Sequence, residues 1–192
     1  MENKTLLVNE RYRITITTKY QPRIDGYSII YQPEYLKLNE FYAARFIEVA
    51  PKEEQVFSIA ILDIMASSAK PCAVLEGDIL TVILFDDILR INLCTKAVLQ
   101  CAECENTGGL EQIHPIDAGY IIKGECNIFQ YDKALKRIWS FSGRDIFATP
   151  AGEECFWIDS NEIHCRDWAG WHYVLDMNGN VISEISENSS GN

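Results

Sequence analysis

Apolar and polar residues in this chain are spaced mostly as they are in strands. Arg11 to Tyr20 is rich in β-branched and aromatic residues and runs into a turn cluster, Pro22-Arg23-Ile24-Asp25-Gly26, so a strand and a turn are expected, with Tyr27 to Tyr31 as the returning strand. Residues 34–50 carry two periods. Leu36, Phe41, Ala44 and Val49 fall loosely on a helical face, whereas Phe41 to Ile47 suits a buried strand, which is the reading adopted. Pro51 to Gln55 is a polar turn, Val56 to Leu62 a further strand, and Ala66 to Pro71 a linker.

Beyond the linker the pattern repeats. Aligning Ile88-Leu89-Arg90-Ile91-Asn92 with Ile128-Phe129-Gln130-Tyr131-Asp132 and with Ile163-His164-Cys165-Arg166-Asp167 gives three copies, offset by 40 and then 35 residues. Each is preceded by an apolar run (Val82-Ile83-Leu84, Tyr120-Ile121-Ile122, Phe156-Trp157-Ile158) and a polar turn. Each ends on an Asp or Asn able to hydrogen-bond its own turn, and an apolar residue returns seven positions later: Leu99, Trp139 and Val174. Asn178-Gly179 before Val181-Ile182 is a hairpin signal.

The middle copy, from Ile128 to Phe141 with Asp132 and Trp139, resembles the repeat of the quinoprotein-like (PQQ-like) β-propellers over about Leu75 to Ile182. The resemblance implies a mainly β fold of propeller-like, tandem antiparallel hairpin sheets. At roughly 40 residues per blade the chain is too short for that family's rings, so a partial or four-bladed arrangement is expected rather than a full-size ring. No residue matches the family's cofactor ligands, and no quinone or other cofactor is implied. Residues 1–183 are read as a single β-rich domain, with N-terminal strands over 1–74 and three repeats over 75–183; residues 184–192 are read as a flexible tail.

Composition narrows the setting. With 47% hydrophobic and 23% charged residues in 192, the chain can bury a core without metal or disulfide staples. Its first ten residues lack the apolar stretch of a signal peptide, and the longest apolar runs fall far short of a spanning helix, so a cytoplasmic protein without a membrane span is expected. Seven cysteines, an odd number, suit free thiols. The net charge of −11 lies wholly in one part of the chain: residues 1–74 carry nine Lys/Arg and nine Asp/Glu, residues 75–192 eight and nineteen. That sign repels phosphate backbones and disfavours nucleic acid, while a basic protein partner fits it.

Candidate chemistry is sparse. Cys101-Ala102-Glu103-Cys104 has zinc-ligand spacing but no second pair, so Cys101 and Cys104 form a candidate metal pair set against ordinary buried cysteines. His164 and Cys165, adjacent on a strand, point to opposite faces and cannot share an ion. Asp167-Trp168-Ala169-Gly170-Trp171-His172 places two indoles beside a tight turn, which suits a protein hot spot or a sugar platform as well as packing between blades. Asp167, Trp168, Trp171 and His172 are therefore the candidate binding residues. No nucleophile elbow, phosphate loop or metalloprotease motif occurs, and no catalytic residue is assigned. The expectation is a non-enzymatic cytosolic protein that binds a protein partner, of immunity or regulatory type. The alternative is a carbohydrate-binding, small-ligand-binding or hydrolytic domain built on the Trp168/Trp171 hairpin.

Overall fold

The structure is a computed structural model that describes residues 4–20, 26–33, 36, 43–65, 71–104 and 108–186. Its described elements are all strands. Five come from the N-terminal part: β1 (Lys4–Val8), β2 (Tyr12–Tyr20), β3 (Ile29–Tyr31), β4 (Ala43–Pro51) and β5 (Phe57–Asp63), in the sheet order β1-β2-β4-β5-β3. Neighbours are antiparallel except β3, which runs parallel to β5. In β2 the residues Tyr12, Ile14 and Ile16 are buried while Arg13 is exposed, the alternation of a strand with one face on a core. The expected strands over 11–20, 27–31 and 56–62 correspond to β2, β3 and β5. Of the stretch 34–50, read as strand, residues 43–50 belong to β4, while 34, 35 and 37–42 lie outside the described residues, as do 22–25 of the turn at 22–26 and 66–70 of the linker at 66–71.

Three four-stranded antiparallel sheets follow, each made of consecutive strands. The first is β6 (Ala73–Glu76), β7 (Ile79–Ile83), β8 (Asp87–Asn92) and β9 (Ala97–Glu103). The second is β10 (Leu110–Ile116), β11 (Gly119–Gly124), β12 (Asn127–Asp132) and β13 (Arg137–Ser142). The third is β14 (Phe156–Asp159), β15 (Glu162–Arg166), β16 (Trp171–Asp176) and β17 (Val181–Ser186). The last strand thus runs through Ser186, three residues into the stretch expected to be tail; 187–192 lie outside the described residues. Contacts divide the chain into two compact units, 1–104 with 109–113, and 105–108 with 114–192.

The shared Asp/Asn turn is real, but its third copy sits elsewhere. Asn92 Oδ1 accepts the amide of Thr95. Asp132 Oδ1 accepts the amides of Ala134 and Lys136, and Asp176 Oδ1 those of Asn178 and Asn180. Each of these residues ends the third strand of its sheet. The pairing register slips two residues earlier in all three, between Arg90 and Ile91, Gln130 and Tyr131, and Val174 and Leu175. The structural repeat therefore aligns Asn92, Asp132 and Asp176. Ile163 to Asp167, matched by sequence to the third strand, occupies β15 and the turn after it, one strand too early. The cause is degeneracy: any apolar, alternating strand that ends in an Asp-headed turn has the same local pattern.

Burial grades across these sheets. All six residues of β11 are buried, as are Leu80 to Ile83 of β7, Thr81 and Lys123 among them, which suits the apolar runs Val82-Ile83 and Tyr120 to Ile122. The fourth strands β9, β13 and β17 are largely exposed. The second strand of the third sheet behaves differently. In β15 only Ile163 and Cys165 are buried, and the alternate residues Glu162, His164 and Arg166 look outward. One face of this sheet is core and the other is not.

Candidate functional site

The inner face of β14–β17 belongs to a core of Phe156, Ile163, Cys165, Tyr173 and Leu175 with Ile121, Ile128 and Phe147. Burial there pushes the Cys165 thiol up to about 12, so it stays a neutral packing group. At the edge of this core lies Asp167, 1% exposed. Its carboxylate accepts the Tyr173 hydroxyl at 2.7 Å and the amides of Trp171 at 2.9 Å and Arg144 at 3.2 Å. Burial together with donation to this carboxylate holds the Tyr173 phenol well above its ordinary range. Asp167 also closes its own turn, its carbonyl accepting the Gly170 amide. Its role in the structure is to tie the β15–β16 turn to the segment around Arg144.

The other sequence candidates around that turn part company. Trp168 is 50% exposed. Trp171 packs on the core, and the Arg144 guanidinium lies 3.5 Å above its ring while pairing with Glu184 at 2.5 Å. One indole face is thus covered from within. His172 projects from the outer face of the sheet. Asp167, Trp168, Trp171 and His172 do not converge on one point.

What the structure does gather is a group on the outer face. Register pairs Trp157 of β14 with His164 of β15, and Arg166 of β15 with His172 of β16, so all four side chains share one side. The Trp157 and His164 rings stack 4.9 Å apart and only 4° from parallel, and His172 tilts toward the indole at 5.5 Å. Arg166 lies 5.4 Å from the Trp157 ring and 3.8 Å from Glu153. Glu153, Glu154, Trp157 and Arg166 line an open recess of about 350 Å³. Sequence reasoning grouped Trp157 with Phe156 and Ile158 as one apolar run. Strict alternation would have separated it, because its neighbours turn inward.

Cys101 and Cys104, the candidate metal pair, differ in exposure. Cys101 is exposed and Cys104 buried, and partial burial of the Cys101 sulfur raises its thiol above the ordinary range. Among the described residues no group of three His, Cys, Asp or Glu is arranged around an ion. No disulfide joins any of the seven cysteines.

No protein-family model and no curated protein matches this sequence. Solved structures do resemble the fold. The AfRom2 CNH domain aligns with a TM-score of 0.53 at 8% identity, over 95% of this chain and 54% of that one. The computationally designed Ika8 protein gives 0.51 at 10% identity, over 94% and 60%. BamB from Moraxella catarrhalis gives 0.49 at 12% identity, over 94% and 62%. The chain spans between 54% and 62% of the lengths of these structures. Consecutive antiparallel meanders with graded burial define the class: this is a mainly β, propeller-like protein of tandem hairpin sheets, partial or four-bladed in extent rather than a full-size ring.

Proposed function

We propose that the chain is a non-enzymatic binding protein whose propeller-like scaffold holds a basic protein partner on the outer face of β14–β17, in an immunity or regulatory role. The observation that carries this reading is the recess between Trp157 and the exposed pair Glu153 and Glu154. The exposed carboxylates of Glu153 and Glu154 suit a partner's arginine or lysine, which can pair with an acid while lying against the indole that His164 and Arg166 already flank. Arg166 already makes both contacts from within the chain, which illustrates the geometry. The acidic surplus of residues 75–192 supports the same sign of partner by long-range attraction. The sugar-platform reading is less well supported, since Arg144 covers one face of Trp171 and leaves Trp168 as the exposed indole of that turn. The likeness of the repeats to quinoprotein-like blades rests on Trp139 and the Asp132 turn, and no cofactor is inferred from it.

The test is affinity capture from native lysate at low salt. Wild-type protein is set beside Trp157→Ala and the double charge reversal Glu153→Lys/Glu154→Lys. A basic partner held by wild type should fall at least about tenfold with either variant and weaken as salt rises. Equal recovery by all three proteins, or no partner at low salt, overturns the proposal.

A further inference from the structure

We propose that His164 and His172 form a two-histidine site for a divalent transition-metal ion on the outer face of the third sheet. The two residues come from neighbouring strands. His164 faces Val174 across the β15–β16 pair, and His172 lies two positions before Val174, so the imidazoles are diagonal neighbours on one face. Their facing nitrogens, Nδ1 of His164 and Nε2 of His172, are 3.4 Å apart. Two imidazole nitrogens bound at about 2.0–2.1 Å to a tetrahedral ion stand about 3.4 Å from one another, so the strands already set the bite such an ion requires.

The surroundings prepare one ring for that role. Glu162 Oε2 lies 3.6 Å from Nε2 of His164. In the tautomer with its proton on Nε2, on the side of this carboxylate, His164 presents the lone pair of Nδ1 to His172, and a small approach of Glu162 would complete the carboxylate–histidine arrangement that orients and strengthens a metal ligand. The parallel stack on Trp157 holds the His164 plane in place. Without an ion, Nδ1 of His164 and Nε2 of His172 stand at hydrogen-bond distance, with the donor set by the tautomers. An ion takes the place of the shared proton, which passes to Nδ1 of His172 or to solvent, and a rotation about χ2 of His172, a soft torsion for imidazole, turns its lone pair to the ion. Two nitrogen donors select zinc, nickel or copper over calcium or magnesium. Two coordination positions remain for water.

The test is calorimetric titration of the full chain with Ni²⁺ near pH 7.5, where free imidazole is neutral. Cys94 and Cys101, both exposed, are replaced by Ser so that these thiols do not compete. One equivalent of Ni²⁺ should bind and quench Trp157 emission, the paramagnetic ion sitting beside the ring. His172→Gln, at a half-buried position that leaves the core intact, should weaken binding at least about tenfold, and His164→Gln likewise. Glu162→Gln, with both ligands retained, should weaken it by about tenfold. Circular dichroism of each variant checks that the sheet persists. Undiminished binding by folded His172→Gln, or none by the Cys-substituted parent at about 1 mM Ni²⁺, overturns the site.

Discussion

Each compact unit buries a carboxylate almost completely, Asp63 at 0% exposure in the first and Asp167 at 1% in the second, and the two are held by different means. Asp167 receives a tyrosine hydroxyl and two backbone amides. Asp63, at the end of β5, accepts the amides of Ile64 at 2.8 Å and Phe85 at 3.1 Å and lies on the same sheet face as Arg45. Arg45 is itself 1% exposed, and its Nε and Nη2 find no hydrogen-bond acceptor among the described residues. Desolvation wins over these contacts and raises Asp63 to about 7, against the opposing pull of Arg45 and the amides of Phe85, Ile64 and Met65. Each carboxylate meets three donors, so their number does not separate the two sites: at Asp167 one donor is a side-chain hydroxyl, and at Asp63 all three are backbone amides beside a buried guanidinium.

Asp167→Ala should have the largest effect of any single change at these two sites. It strands the Tyr173 hydroxyl and the amides of Trp171 and Arg144 in a dry site, and should lower stability by about 3–5 kcal/mol in denaturant titration. A loss below about 1 kcal/mol would mean that the turn does not depend on this carboxylate.

Asp63 should show itself in pH dependence. Its folded value, about 7, lies above the ordinary 3.8 that it regains on unfolding. Between those values the folded state holds a proton that the unfolded state has released. Stability therefore falls as pH rises through this window and levels off above it, by about 2–3 kcal/mol between pH 5 and 8. Denaturation of the first unit at several pH values measures the slope, and Asp63→Asn should remove it. A slope that survives in Asp63→Asn would assign the effect to other groups.

Tyr173→Phe is the mildest change, since it takes one donor from Asp167 and leaves the two amides. A loss of about 1–2 kcal/mol is expected from the unfolding midpoint. A loss as large as that of Asp167→Ala would place most of the network's strength in this one hydroxyl.

Much of the scaffold was legible because hairpins are local. The strands around Ile88 and Ile128, their Asp/Asn turns and the returning strands β9 and β13 lie within a few residues of one another, so alternation and turn chemistry were enough to find them. The same locality misled the third copy, where Asp167 and Asp176 both head turns and only the pairing register separates them. Strands without a strong local pattern escaped, notably β1, which is held by β2, and β10, whose run contains His114 and Pro115. The site was hardest to read. Trp168 and Trp171 drew attention by proximity in sequence, while the face that forms a recess depends on Trp157, nine residues before Arg166 and in another strand.

The order of side chains along each strand and the residues that turn the chain back were determined by the sequence alone, because alternation and Asx hydrogen bonding are properties of a few neighbouring residues. Tertiary structure decided what those residues meet. Sheet register set Trp157 against His164 and brought His172 within 3.4 Å of it, and packing removed water from Arg45, Asp63 and Asp167. Those outcomes depend on which strands lie side by side and on what covers them, and no window of neighbouring residues contains that information.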